Sequence, residues 1–290
     1  MRAFAYERPT DVGAAIALLA AHGSEARLLA GGTDLIIRLR DGTIAPRVVV
    51  DLKRIAELDG EIRATEAGLT IGARTTMTAI AADERIRRDY VALAEAAAVV
   101  GSVQIRNRAT LAGNICNASP AADTAPALLV YGASVMVAGP AGKRRIPIDE
   151  VFVRSGITTL DRGELVTAVE LPRVTLPRGS VHVRRTRRRG HDLASVTLAC
   201  AVDAEGVTRL AYGSLGPRPI LVADESGLLA DPSAAADAKR RRLGELFVDA
   251  RPSPGSMRAS PRYRMAMLQV LGLRAVETAI ERLVVAESRR

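Results

Sequence analysis

Arg27-Leu28-Leu29-Ala30-Gly31-Gly32-Thr33-Asp34-Leu35 carries a short apolar run into two consecutive glycines, then into a helical segment reaching Arg40 before Asp41-Gly42. The pattern predicts a buried strand, a turn and a helix. A strand that ends in Gly-Gly and feeds a helix N-terminus is a ready anion site. Without Cβ atoms the backbone can approach a phosphate closely, and free amide N–H groups point outward with the helix dipole behind them. Two named phosphate loops do not match: no Gly-Lys-Ser/Thr makes this a Walker loop, and no GxGxxG makes it a dinucleotide-binding Rossmann fingerprint. A plain strand-to-helix turn accounts for Gly31-Gly32-Thr33-Asp34 at least as well, so this stretch alone does not decide the function.

Working outward, Thr10 and Asp11 precede an apolar helical run that Gly23 closes, which predicts a first helix near 11–22. Val48-Val49-Val50-Asp51-Leu52 is a second β-branched run and a parallel neighbour for the strand at Leu28. Leu69 to Gly72, Ser134 to Val137, Arg144 to Ile146 and Leu165 to Leu171 read as strands; Thr76 to Ala82, Tyr90 to Val100 and Pro126 to Tyr131 read as helices. Pro172 and Pro177 mark a linker. Beyond it Val181 to Arg187 is a strand, and Val196, Leu198, Cys200 and Val202 alternate with Thr197, Ala199 and Ala201, as in a strand with one face on a core. Val207 to Gly213 forms a hairpin partner. Two helical regions follow, giving a separate α+β unit.

A second small-residue constellation runs from Asn107 to Thr124. The whole stretch from Ser102 to Thr124 is polar, has no clear period and is long for an idle loop. Thr110, Asn114 and Ser119 can donate to phosphate or sugar oxygens, and Asp123 can accept from hydroxyls or from a ring N–H. The bland reading makes Asp123 the N-cap of the helix that follows.

Composition narrows the classes. At 290 residues the chain exceeds one ordinary core, and 48% apolar with 25% charged residues is a globular balance. No apolar stretch is long enough to span a bilayer, and no signal core opens the chain, so it reads as cytoplasmic without membrane insertion. Cys116 and Cys200 are too few for a disulfide framework or an iron–sulfur site. The net charge of +9 comes from arginine, with lysine only at Lys53, Lys143 and Lys239. That skew reflects a GC-rich genome, and with no Trp and three Phe the chain lacks the stacking platforms of nucleic-acid surfaces. No nucleic-acid partner is expected.

Two small-residue loops without a metal cluster, triad or acid pair suggest an enclosed, extended, phosphate-bearing ligand. Together, Ala30-Gly31-Gly32-Thr33-Asp34 and the stretch Thr110-Leu111-Ala112-Gly113-Asn114-Ile115-Cys116-Asn117-Ala118-Ser119-Pro120-Ala121-Ala122-Asp123 resemble the FAD-binding medium subunit of molybdenum hydroxylases, the family of xanthine and carbon monoxide dehydrogenases. Phe4-x-Tyr6-x-Arg8-Pro9, the segment Glu164 to Pro172, Arg188-Arg189-Gly190-x-Asp192-Leu193-Ala194 and Arg258-x-Ser260-x-x-Tyr263-Arg264 extend the likeness over nearly the whole chain.

The resemblance implies an α+β fold: a two-lobed FAD-binding domain of the PCMH type over 1–175, with subdomains near 1–55 and 56–175. A smaller C-terminal domain over 176–290 follows, with a three-stranded sheet plus helices. It implies that backbone amides of Leu28, Leu29, Ala30, Gly31, Gly32, Thr33, Asp34 and Leu35, and of Thr110, Leu111, Ala112, Gly113 and Asn114, hold the FAD pyrophosphate. Asp123 falls toward the ribityl and flavin end, Val100 lines the flavin, and Val166 and Arg184 add contacts from further along. The family usually has lysine where Arg184 stands, and a rigid fork is not a point charge. Ala112 stands where many members have glycine, so ordinary φ is expected there.

The resemblance further implies a large molybdenum-cofactor subunit and a small subunit carrying [2Fe-2S] clusters, assembled as a dimer of heterotrimers. Electrons would reach FAD on this chain and leave to NAD+, oxygen or another acceptor, with no acid–base catalyst needed here. A self-contained FAD oxidase is the alternative. Alternation through the arginine run places Arg185, Arg187 and Arg189 on one face and Arg184, Thr186 and Arg188 on the other, for interface and flavin roles. His182 lacks a cluster, Cys116 reads as a packed residue, and Lys239 to Arg242 as an exposed helix face.

Overall fold

The computed structural model describes residues 2–188 and 190–288. The chain opens with a parallel sheet in the order Ala5–Glu7, Val48–Asp51, Ala26–Leu29. The β-branched run supplies the central strand, whose four residues are all buried. Helix Val12–His22 covers this sheet; the Asp11 carboxylate accepts from Ala14 N at 2.7 Å, and Gly23 closes the helix at φ +50°. Parallel pairing brings Leu29 beside Asp51, so the glycine turn leaves from the carboxyl edge of the sheet, the edge at which ligands bind in open α/β sheets.

A five-stranded antiparallel sheet follows, in the order Ile62–Thr65, Gly68–Gly72, Leu165–Pro172, Ser134–Gly139, Gly142–Pro147. Helices Met77–Ala82, Val91–Ala98, Leu111–Asn117 and Thr124–Val130 lie within the same apolar core. The stretch expected to be an aperiodic loop contains two short helices, Val103–Arg106 and Leu111–Asn117. Each begins on a hydroxyl cap: Ser102 Oγ accepts from Ile105 N at 3.3 Å, and Thr110 Oγ1 from Gly113 N at 3.1 Å. Helices this short are set by their caps and show no readable period.

The last unit is a four-stranded antiparallel sheet, Arg178–Arg185, Val196–Asp203, Thr208–Gly213, Ile220–Asp224, with helices Ala236–Leu246 and Pro261–Glu287. The expected three-stranded sheet therefore gains Ile220–Asp224. This is an edge strand entered from Pro217 and Pro219, where a missing N–H costs no ladder bond. The first strand stops at Arg185, two residues short of its expected end.

Strand Val196–Asp203 is buried on both faces, a correction to the one-faced reading. Leu198, Cys200 and Val202 pack with the last unit's helices, whereas Ala199 and Ala201, with Ala211, join the core of the first 175 residues. Small side chains let the sheet sit close to that core. Tyr131 Oη and Ser180 Oγ, 2.6 Å apart, cross the contact, and Glu95 accepts from His182 N at 2.8 Å and from Arg282 Nη2 at 2.7 Å. Lys239 to Arg242 is not a wholly exposed face: Lys239 is buried, and Arg242 Nε meets Asp224 Oδ1 at 2.9 Å. Among the described residues no helix is long and apolar enough to cross a membrane.

Gly179 marks where the long final helix crosses the edge strand. A Cβ there would overlap Ala279 O and Leu283 N, both backbone atoms. Gly179→Ala is therefore expected to lower unfolding free energy by ~3 kcal/mol, the upper range for overpacking. A fall in the urea midpoint checks this.

Candidate functional site

The two glycine-bearing loops meet backbone to backbone. A Cβ on Gly31 would overlap the Arg108 carbonyl oxygen and stand 3.1 Å from Ala109 Cα. Asn117 Nδ2 donates to Asp34 Oδ1 at 3.2 Å across the same gap. The second loop is anchored from behind, because Met77 N donates to Ala109 O at 2.9 Å and Leu111 N to Thr75 O at 3.2 Å.

In the first loop the N–H groups of Gly31, Gly32, Thr33, Asp34 and Leu35 have no protein acceptor among the described residues. Gly32 turns at φ +78°, a conformation that glycine alone adopts without strain. Leu28 and Leu29 belong to the preceding strand, which lies at the edge of its sheet, so their successive N–H groups point to opposite sides and only one of the two faces the neighbouring strand. In the second loop the capping itself takes several expected donors: Leu111 N goes to Thr75 O, Gly113 N to Thr110 Oγ1 and Asn114 N to Thr110 O. Thr110 and Ala112 keep open N–H groups among the described residues. Ala112 has ordinary φ within its helix. Cys116, expected to be packed, is exposed, because Leu111, Ala112 and Ile115 hold the buried face.

Asp123 does not cap the following helix; its backbone is already helical and its side chain makes no cap bond. The carboxylate turns instead toward the C-terminal sheet. Arg184 Nη1 donates to Oδ2 at 2.8 Å, and His182 Nε2 stands 3.5 Å from Oδ1 and 2.9 Å from Thr197 Oγ1. Oδ1 is buried without a hydrogen-bond partner. Two residues expected at separate ligand contacts, Asp123 and Arg184, are thus one ion pair bridging the two units. His182 and Thr197 were missed as site residues. Strand alternation places Ser180, His182 and Arg184 on one face, and that signal pointed to His182 once Arg184 was chosen.

The other expected positions are more distant. Val100 is half-buried against the first core, with its carbonyl accepting from Arg106 Nη1 at 3.2 Å. Val166 is buried beside a bulge in its strand. No hydrogen bond joins either residue to the loops among the described residues. Ser119 Oγ accepts from Ala121 N at 3.3 Å, and Asn114 Oδ1 from Thr124 Oγ1 at 2.6 Å. Both side chains thereby brace the loop.

The alternation expected through the arginine run holds only as far as Arg185, whose Nε donates to Tyr263 Oη at 2.8 Å. After it Arg187 pairs with Asp192 at 3.2 Å, and Arg188 Nε donates to His191 O at 3.2 Å. Arg189 lies outside the described residues. A groove of about 650 Å³ opens at the tail of the second loop, lined by Ser119, Pro120, Leu193, Ala194, Arg258 and Arg264 among others. Burial and the neighbouring Arg258 hold the Arg264 pKa below the usual guanidinium range.

The opening motif also has a place. Tyr6 Oη hydrogen-bonds Asp51 Oδ2, and Lys53 Nζ meets Oδ1 at 2.7 Å, at the sheet edge beside the glycine turn. Burial pushes the Asp51 pKa up, but the bonds from Lys53 and Tyr6 more than offset it and leave the carboxyl below its ordinary range.

Open amides in the glycine loops suit the central diphosphate of a flavin dinucleotide, and a buried carboxylate oxygen lacking a donor suits its ribityl or flavin end. Diphosphate needs donors; a ring N–H or ribityl hydroxyl needs an acceptor. The residues present fit FAD.

Known proteins agree. Residues 2–174 match the family model described as FAD binding domain in molybdopterin dehydrogenase, and residues 182–279 match the CO dehydrogenase flavoprotein C-terminal domain. The chain is 31% identical over 280 residues to the xanthine dehydrogenase FAD-binding subunit of Escherichia coli O157:H7, covering 95% of each. It is 30% identical over 281 residues to the carbon monoxide dehydrogenase medium chain of Afipia carboxidovorans, covering 95% of this chain and 96% of the relative. A chain of reconstituted CO dehydrogenase from Oligotropha carboxidovorans superposes with a TM-score of 0.89 at 27% identity, over 97% of this chain and 99% of that one. With both loops meeting and both matches spanning most of its length, the chain belongs to the family of FAD-binding subunits of molybdenum hydroxylases.

Proposed function

We propose that this chain is the electron-transfer flavoprotein of a larger complex. In this reading residues 1–175 form the FAD-binding domain and 176–290 the C-terminal flavoprotein domain. A large subunit holds the molybdenum cofactor, a small subunit holds [2Fe-2S] clusters, and the assembly is a dimer of heterotrimers. Bound FAD supplies reversible two-electron chemistry between those clusters and NAD+, oxygen or another acceptor.

The chain's own residues bind and orient. The amides of Gly31 to Leu35 hold the diphosphate from one side, and those of Thr110 and Ala112 close it from the other. Asp123, fixed by Arg184, accepts from the ribityl or flavin end, and Val100 and Val166 supply apolar walls. The single observation supporting this reading is the close approach of Gly31 to the Arg108 carbonyl, which brings the two donor loops together.

Purified full-length chain is expected to be yellow with near-stoichiometric flavin. Colourless protein that takes up no added FAD would contradict the proposal. Gly32→Val is expected to lose flavin retention, because φ +78° disfavours any side chain and a Cβ would stand 2.9 Å from Leu29 Cδ1. Flavin absorbance after gel filtration measures it.

A further inference from the structure

We infer that His182 is a positioning residue for the cofactor. Held by Thr197, its ring orients the Asp123 carboxylate so that Oδ1 faces the flavin end of bound FAD. This rests on the FAD reading above and adds a residue to it.

The His182 side chain is 2% exposed, and Thr197 is fully buried. Its Nε2 lies between two oxygens, Thr197 Oγ1 at 2.9 Å and Asp123 Oδ1 at 3.5 Å. A ring lone pair facing a carboxylate would be repelled, so the proton belongs on Nε2, shared toward both oxygens. The backbone is pinned as well, since His182 N donates to Glu95 Oε2 at 2.8 Å.

Alternation along Arg178–Arg185 puts His182 and Arg184 on the same face, one toward each oxygen of a carboxylate from the other unit. Arg184 satisfies Oδ2, whereas Oδ1 is left buried without a full hydrogen bond. An unsatisfied buried acceptor is costly, and a donor arriving with the ligand removes that cost. The imidazole aims the oxygen, and the flavin's ring N–H or a ribityl hydroxyl completes it.

The test uses the full chain freed of flavin and titrated with FAD, reading flavin fluorescence, the visible spectrum of bound flavin and its midpoint potential. His182→Leu removes both ring nitrogens and is expected to weaken FAD binding about tenfold, the worth of one charge-assisted hydrogen bond, with a shifted visible band and potential. His182→Gln keeps an N–H near the Nε2 position and is expected to bind within about threefold of wild type with the spectrum restored. Should His182→Leu fail to fold, Thr197→Val carries the same test, because it frees the ring from its hydroxyl at nearly constant shape. Flavin affinity, spectrum and potential unchanged in these variants would overturn the inference, as would a loss of thermal stability in the FAD-free chain with no change in flavin properties. Wild-type chain that binds no FAD would instead sink the underlying reading, whatever the variants do.

Discussion

Gly31→Ala is expected to weaken FAD binding at least ~100-fold, the largest effect of any single methyl group in the site. The added carbon would overlap the Arg108 carbonyl oxygen, a backbone atom with no rotamer to escape through. The second loop cannot retreat, because Ala109 O and Leu111 N are tied to Met77 and Thr75. The first loop must shift instead, withdrawing several amides from a diphosphate at roughly 1.5–3 kcal/mol for each charge-assisted bond. Gly113→Ala makes the control. Its Cβ would meet only Thr110 Oγ1, at 2.8 Å, so a far smaller loss is expected. Isothermal titration with FAD compares the two.

Asp123→Ala should be the most destabilising polar substitution at the site. It leaves Arg184, whose side chain is 17% exposed, facing a buried cavity without its anion. Removing one partner of a buried pair costs about 3–5 kcal/mol; with part of Arg184 still solvated, about 2–3 kcal/mol is expected. For a chain of this size that is a fall in Tm of roughly 5–10 °C. Asp123→Asn keeps the shape and is expected to lose less stability, yet to bind FAD about tenfold more weakly, because a neutral amide is the poorer acceptor. Thermal melts of the FAD-free chain, set beside flavin titrations, separate the structural cost from the ligand cost.

Local signals made much of the fold legible. Asp11 and Gly23 bracket the first helix because a cap and a positive-φ glycine act on their own neighbours. The valine run at 48–50 announces a strand buried between two others. The loops themselves were readable because Gly31 and Gly32 sit between a strand and a helix.

What stayed hidden depends on contacts distant in sequence. Ile220–Asp224 is an edge strand whose first four residues are all apolar, so its alternating burial leaves no period-two pattern in the sequence. Thr197, Ala199 and Ala201 look like a solvent face until the first core is placed against them. Asp123 resembles an N-cap in every local respect, and only the arrival of Arg184, 61 residues later, turns its carboxylate away. His182 has no histidine, cysteine or acidic neighbour in sequence, so its meeting with Asp123 exists only in the folded chain.

A structure of the chain loaded with FAD tests the central claim most directly. The account requires the diphosphate between the two loops, within hydrogen-bond distance of the amides at Gly31 to Leu35 and of Ala112, with the flavin end toward Asp123 Oδ1. Dinucleotide density elsewhere, or loops closed on each other with no diphosphate between them, would contradict it.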